Sequence, residues 1–197
     1  MNFAFHIRDT LCSLWPEDKP IAWAIFFAFA FYFAYAAFQL IAPLVAFSGD
    51  KVSLLYLPAF VRVLAVLIAG LSGALGIFLG HLMVYAVYKS DPIFFAVAAS
   101  AINAIAPLMA LIATYFLFSS RQILDLGWKP ILVLSLLAAI FAGCFKAVFW
   151  SLTHLGELAS FYHALANMAG NFLGIGCGFV LSLLLKRILP FEVRLRR

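Results

Sequence analysis

Carboxylates are scarce in this sequence. It carries 8 Asp and Glu in 197 residues, and charged residues of both signs reach only 11%. An average chain is about 25% charged and uses those groups to coat its surface. So few charges leave little polar surface to turn toward water, which excludes an ordinary soluble domain. Cysteine is rare as well. Cys12, Cys144 and Cys177 stand far apart, without a CxxC pair or a Cys/His spacing, so neither a disulfide framework nor a zinc site is indicated. Catalytic signatures are missing too: there is no HExxH, no GxSxG and no Walker loop. His154 and Glu157, with His163 nearby, make two histidines and one carboxylate, a thin set for a metal ion. No enzyme activity, metal or cofactor is expected.

A cleavable leader is also missing. Residues 1–19 hold Arg8, Asp9, Glu17, Asp18 and Lys19, with no small-residue cleavage site before the first long apolar run. Phe3, Phe5, Ile7, Leu11, Leu14 and Trp15 fit either a short interfacial helix or a frayed tail.

What fills the chain instead is hydrocarbon. Hydrophobic residues make up 66% and Phe alone contributes 22, with a mean hydropathy of +1.10. A bilayer core of about 30 Å needs about 20 apolar residues in a helix. The run from Ile21 to Phe47 meets this. The run from Leu54 to Tyr88 is too long for one span and just long enough for two, with Gly70-Leu71-Ser72-Gly73 as the turn between them. Further runs cover Ile93 to Phe118, Ile131 to Leu152 and Phe161 to Leu185. The expected fold is all-α: a polytopic bundle of about six transmembrane helices over residues 20–188. An N-terminal segment, 1–19, precedes it and a basic tail, 189–197, follows.

Lys and Arg in short loops orient such a bundle. With six spans, one side holds Arg8, Lys19, Arg121, Lys129, Lys186, Arg187, Arg194, Arg196 and Arg197, and the other holds only Lys51 and Lys89. This places the N-terminus and C-terminus in the cytoplasm and makes the net charge of +5 an orientation signal. Nucleic-acid binding is a poor fit, because no basic and aromatic surface outside the bilayer is large enough to hold a strand. Anionic lipid headgroups are the natural contact for Arg194, Arg196 and Arg197.

Two cations fall inside apolar runs, Arg62 and Lys146, and none of the spans holds an Asp or Glu. A charge at mid-bilayer costs at least about 2.5–3.5 kcal/mol, so each needs a partner, a wet cavity or a route to the interface. Counting about 1.5 Å per residue, both lie in the outer half of the membrane. His81 and Asn103 fall in the same slab, as do His163, Asn167 and Asn171 at successive turns of the last span. Intramembrane polar groups face the bundle interior, so these seven residues are candidates for an outward-facing pocket for a small anion. The competing reading is structural: long stems snorkel, and asparagines join helices. Gly76 and Gly80, and Gly170, Gly174 and Gly178, form small-residue faces for close helix packing or for a partner subunit.

Leu57-Pro58-Ala59, the run Val63 to Gly70, Gly76-Ile77-Phe78-Leu79-Gly80, Ala101-Ile102-Asn103-Ala104 with Pro107-Leu108, and Asn171 to Ile175 resemble the bacterial MASE-type integral membrane sensor domain. The resemblance covers about residues 55–185. It departs from that family at Leu57-Pro58-Ala59 and Arg62, where a Trp-Pro-Pro and a following Gly are usual, and in carrying no kinase or cyclase output domain. It implies a stand-alone sensor acting through a membrane or cytoplasmic partner protein. The size, with the Ala30, Ala34 and Ala37 face and the glycine-rich hairpin, is also similar to the substrate-binding S-components of energy-coupling-factor vitamin transporters. A purely structural subunit of a larger membrane complex is the third class. The expected function is recognition of a small anionic ligand from the outer side, in a bacterial inner membrane. The charge asymmetry generates the first prediction: a reporter fused after Arg197 reads as cytoplasmic, and one inserted next to Lys51 reads as external.

Overall fold

The computed structural model describes residues 19–47, 52–53, 55–89, 92–118, 128–153 and 161–188. Five helices account for nearly all of them: α1 (Pro20–Val45), α2 (Pro58–Tyr88), α3 (Ile93–Phe118), α4 (Trp128–Thr153) and α5 (Phe161–Ile188). A two-residue antiparallel bridge between β1 (Ala46–Phe47) and β2 (Val52–Ser53) links α1 to α2. Proline opens α1 and α2, where its missing N–H has no intrahelical acceptor to lose. Lys89 ends α2 in extended backbone, and its N–H bonds the Tyr85 carbonyl at 3.1 Å. The expected interfacial helix and basic tail lie outside the described residues.

Four segments are long and apolar enough to cross a membrane: Pro20–Leu44, Pro58–Tyr88, Ile93–Phe118 and Trp128–Phe149. The chain is a multi-pass membrane protein. Its packing suits lipid. The buried interior is rich in small residues such as Ala59, Ala65, Ala69, Ala106, Ala110 and Ala142, while Leu40, Leu44 and Ile93 are each more than 80% exposed. Lipid tails are as apolar as Leu, so close backbone approach, rather than escape from water, holds such helices together.

α2 is not one rod. Gly70 has φ 52 and ψ −122 within an otherwise helical segment, a conformation closed to side-chain-bearing residues. A Cβ on Gly73 would fall on the Ala65 backbone, although eight residues of straight helix span about 12 Å. The chain therefore doubles back at Gly70 into two arms, 58–69 and 71–88. The reversal is concentrated in one residue rather than spread over the Gly70–Gly73 turn read from the sequence, and Gly73 serves instead to let the arms touch.

The second arm lies along α1. A Cβ on Gly76 would sit 2.5 Å from the Ala24 carbonyl oxygen, and one on Gly80 2.5 Å from that of Ala28. Both numbers rise together, so α1 and the second arm run parallel, with Phe27, Phe31, Ile77 and Val84 buried at this contact. Phe95 meets Phe149 with ring centroids 5.8 Å apart, which sets α3 antiparallel to α4. α5 returns to the first arm, where Gly174 faces the Tyr56 carbonyl and Gly178 the Phe60 ring. The Tyr56 N–H donates to the Gly170 carbonyl at 3.0 Å.

These close approaches yield a prediction. Gly70→Ala places a Cβ in forbidden backbone and costs about 1–3 kcal/mol. Gly80→Leu wedges α1 from the second arm at a similar cost of about 1–3 kcal/mol. Both lower the unfolding midpoint of the detergent-solubilised protein. Gly176→Ala, whose Cβ meets nothing within 4 Å, does not lower it, because Ala favours the helix over Gly.

Candidate functional site

Arg62 is the centre of the polar interior. It stands one turn into the first arm of α2 and is 3% exposed, so it does not snorkel to the surface. Its two terminal nitrogens donate to the side-chain carbonyls of Asn103 on α3 and Asn171 on α5. Two neutral amide dipoles thus stand where a carboxylate normally would. Each asparagine lies ten residues in from the start of its helix, about 15 Å by helical rise, which explains why both arrive at one level. Arg62 Nε has no partner among the described residues.

The contacts spread from there in two directions. Asn103 Nδ2 lies 2.9 Å from His81 Nε2 on the second arm and donates to the Ala99 carbonyl at 2.9 Å. His81 Nδ1 lies 3.1 Å from Ser100 Oγ, which donates to the Ala96 carbonyl at 2.6 Å. On the other side, Asn171 Nδ2 donates to the Asn167 carbonyl and to Asn167 Oδ1, both at 2.8 Å. A guanidinium only donates, so it sets every direction in this chain. The Asn103 oxygen must face Arg62, its amide nitrogen must face His81, and His81 must be neutral with its proton on Nδ1.

Lys146 joins through Tyr56. The Arg62 guanidinium carbon lies 5.2 Å from the Tyr56 ring centroid, and Lys146 Nζ lies 5.7 Å from it, both within cation–π range. Burial pushes the Tyr56 phenol above its ordinary value, with the Arg62 charge pulling the other way. Lys146 is half-buried on α4 and has no hydrogen-bond acceptor among the described residues. All eight Asp and Glu of the sequence fall outside the five helices. Two cations therefore share one aromatic ring, and no helix supplies a carboxylate.

Of the seven polar residues singled out from the sequence, Arg62, His81, Asn103, Asn167 and Asn171 meet directly, and Lys146 meets Arg62 across Tyr56. His163 lies on α5, but its side chain is outside the described residues, as are His154 and Glu157. The glycines lie at helix contacts rather than in the network. Tyr56 and Ser100 escaped the sequence reading. Ser100 had a signal, one turn before Asn103 on the same helical face. Tyr56 had none, because it precedes α2 and meets the site only once α5 closes on it.

The arrangement is closed rather than open. The space beside the guanidinium, bounded by Ala59, Val63, Pro107, Ala138, Ala142 and Ile175, is too small for a water molecule. The larger groove, about 540 Å³, is apolar and lies on the outer side of α5 against Leu57. Pro107 lacks the N–H that would bond the Asn103 carbonyl one turn earlier, which loosens α3 at this level. No family model, curated protein or solved structure matches the chain, so the chemistry of the site rests on its own geometry.

That geometry predicts strong coupling. Asn103→Leu removes an acceptor from a buried charge and costs about 2–3 kcal/mol. Arg62→Met costs less in the Asn103→Leu background than in the wild type, by at least about 1 kcal/mol in a double-mutant cycle of unfolding free energies.

Proposed function

We propose that this protein is a non-enzymatic recognition module of a bacterial inner membrane, which binds a small anion from the outer side and signals through a partner protein. One observation carries the reading: a buried guanidinium and a neighbouring ammonium face the same Tyr56 ring, with no carboxylate on any helix. A charge withdrawn from water needs compensation, and the amide oxygens of Asn103 and Asn171 compensate only one of the two cations. An anion entering beside half-buried Lys146 completes the set. The space beside the guanidinium is too small for a ligand, so binding parts the helices, and that movement is what a partner reads.

In this reading the bundle crosses the membrane six times, as α1, the two arms of α2, α3, α4 and α5, with both ends cytoplasmic. The parallel run of α1 and the second arm supports the even count, as does the nine-to-two bias of basic residues. The stand-alone sensor of MASE type is the class it fits. A transporter S-component is the second reading. It is favoured by the outer face of α1, where Ile25, Phe29 and Phe33 are exposed beside the half-buried Ala30 and Ala34, leaving a surface for a coupling subunit.

The test uses purified protein in detergent with nitrate, sulfate and benzoate as probes and chloride as the reference, at constant ionic strength. At least one probe raises the unfolding temperature of the wild type above the chloride value. Lys146→Met, which removes a group with no hydrogen bond among the described residues, folds normally and loses at least about tenfold in apparent affinity, or about 1.4 kcal/mol. Equal responses from wild type and Lys146→Met, or no response from either, overturn the reading.

A further inference from the structure

We infer that the site takes up a proton together with its anion, with His81 Nε2 as the proton acceptor. This rests on the anion reading above and adds the regulation of that same site. The starting point is the direction of the hydrogen bonds. Arg62 forces the Asn103 oxygen toward itself, so Asn103 Nδ2 points at His81 Nε2. A proton on Nε2 would set two donors face to face, because His81 Nδ1 is already committed to Ser100.

One local rotation removes that conflict, at the expense of the Asn103 bond to the Ala99 carbonyl. The Asn103 amide turns over and offers its oxygen to the protonated ring. Its nitrogen then faces the guanidinium, and Arg62 loses the acceptor it had. Arg62 Nε already has no partner among the described residues, so Asn171 is left as its single side-chain acceptor. Protonation of His81 thereby creates a demand for an acceptor at Arg62, and an entering anion satisfies it.

Charge acts in the same direction. Among the described residues, the ionic groups that act electrostatically on His81 are Lys146 from α4, Arg62 from the first arm and Lys89 from the end of its own arm, all of them cations. From α1 it meets the Phe31 ring, from its own arm the Tyr85 ring, and from α3 Ser100 and Asn103. A proton would be one more positive charge in a cluster without a carboxylate on any helix. A bound anion offsets that charge. Each event favours the other, and the coupling is reciprocal by thermodynamic necessity.

The experiment measures probe affinity against pH. Nitrate, sulfate and benzoate are suitable because they do not themselves titrate between about pH 5.5 and pH 8, where an imidazole does. For the wild type, affinity tightens as pH falls, approaching roughly tenfold per pH unit for one linked proton. In weak buffer, adding the probe draws protons from solution. H81Q keeps the geometry, because a Gln amide can accept from Asn103 and donate to Ser100, but it cannot titrate. Its affinity is independent of pH and it takes up no proton. If H81Q fails to fold, proton uptake by Lys146→Met at raised probe concentration decides instead: its persistence supports His81, and its loss overturns the proton link. A wild type that binds with flat pH dependence and no proton uptake overturns the proton link and leaves the anion reading standing. A wild type that binds no probe at any pH overturns both.

Discussion

A single guanidinium, withdrawn from water and without a carboxylate on any helix, organises the interior of this protein. Arg62 cannot be deprotonated and cannot reach the surface from its buried position. The bundle must therefore bring acceptors to it. Asn103 and Asn171 do so from α3 and α5, which ties three helices together at one level. The orientation of both amides, the tautomer of His81 and the direction of the Ser100 hydroxyl all follow from the fact that Arg62 can only donate.

The glycines make that meeting possible. Gly70 turns α2 back on itself, and Gly73 lets the two arms touch. Arg62 and His81, nineteen residues apart in one helix, are thereby brought to the same asparagine. Gly76 and Gly80 bring α1 onto the second arm, and Gly174 and Gly178 bring α5 onto the start of the first. Packing and chemistry are thus divided between residue types. Small residues set the distances between helices, and a few polar side chains use the proximity that results.

The polar cluster is tightly packed. Interiors of this kind are packed to near-crystalline density, and the site contains no room for a ligand beside the guanidinium. A protein built only to store a charge would gain more from apolar replacement of the whole cluster. Two cations are instead retained around one tyrosine, Tyr56.

Much of the fold was legible along the chain. The apolar runs and their polar interruptions mark the helices closely, because a bilayer core demands a minimum length of apolar helix whatever the tertiary arrangement. The depth of Arg62, His81, Asn103, Asn167 and Asn171 was also legible, because helical rise converts residue number into depth. What depth alone leaves open is rotation about each helix axis and the choice of neighbours. Those decide that Asn103 and Asn171 take Arg62 between them, that Tyr56 carries both cations, that Ser100 orients His81, and that the cluster is shut. By itself the sequence determined a polytopic membrane chain with a polar layer, because hydropathy and charge act locally. Only the tertiary structure decided which donor meets which acceptor, because hydrogen bonds depend on the mutual rotation of helices far apart in the chain.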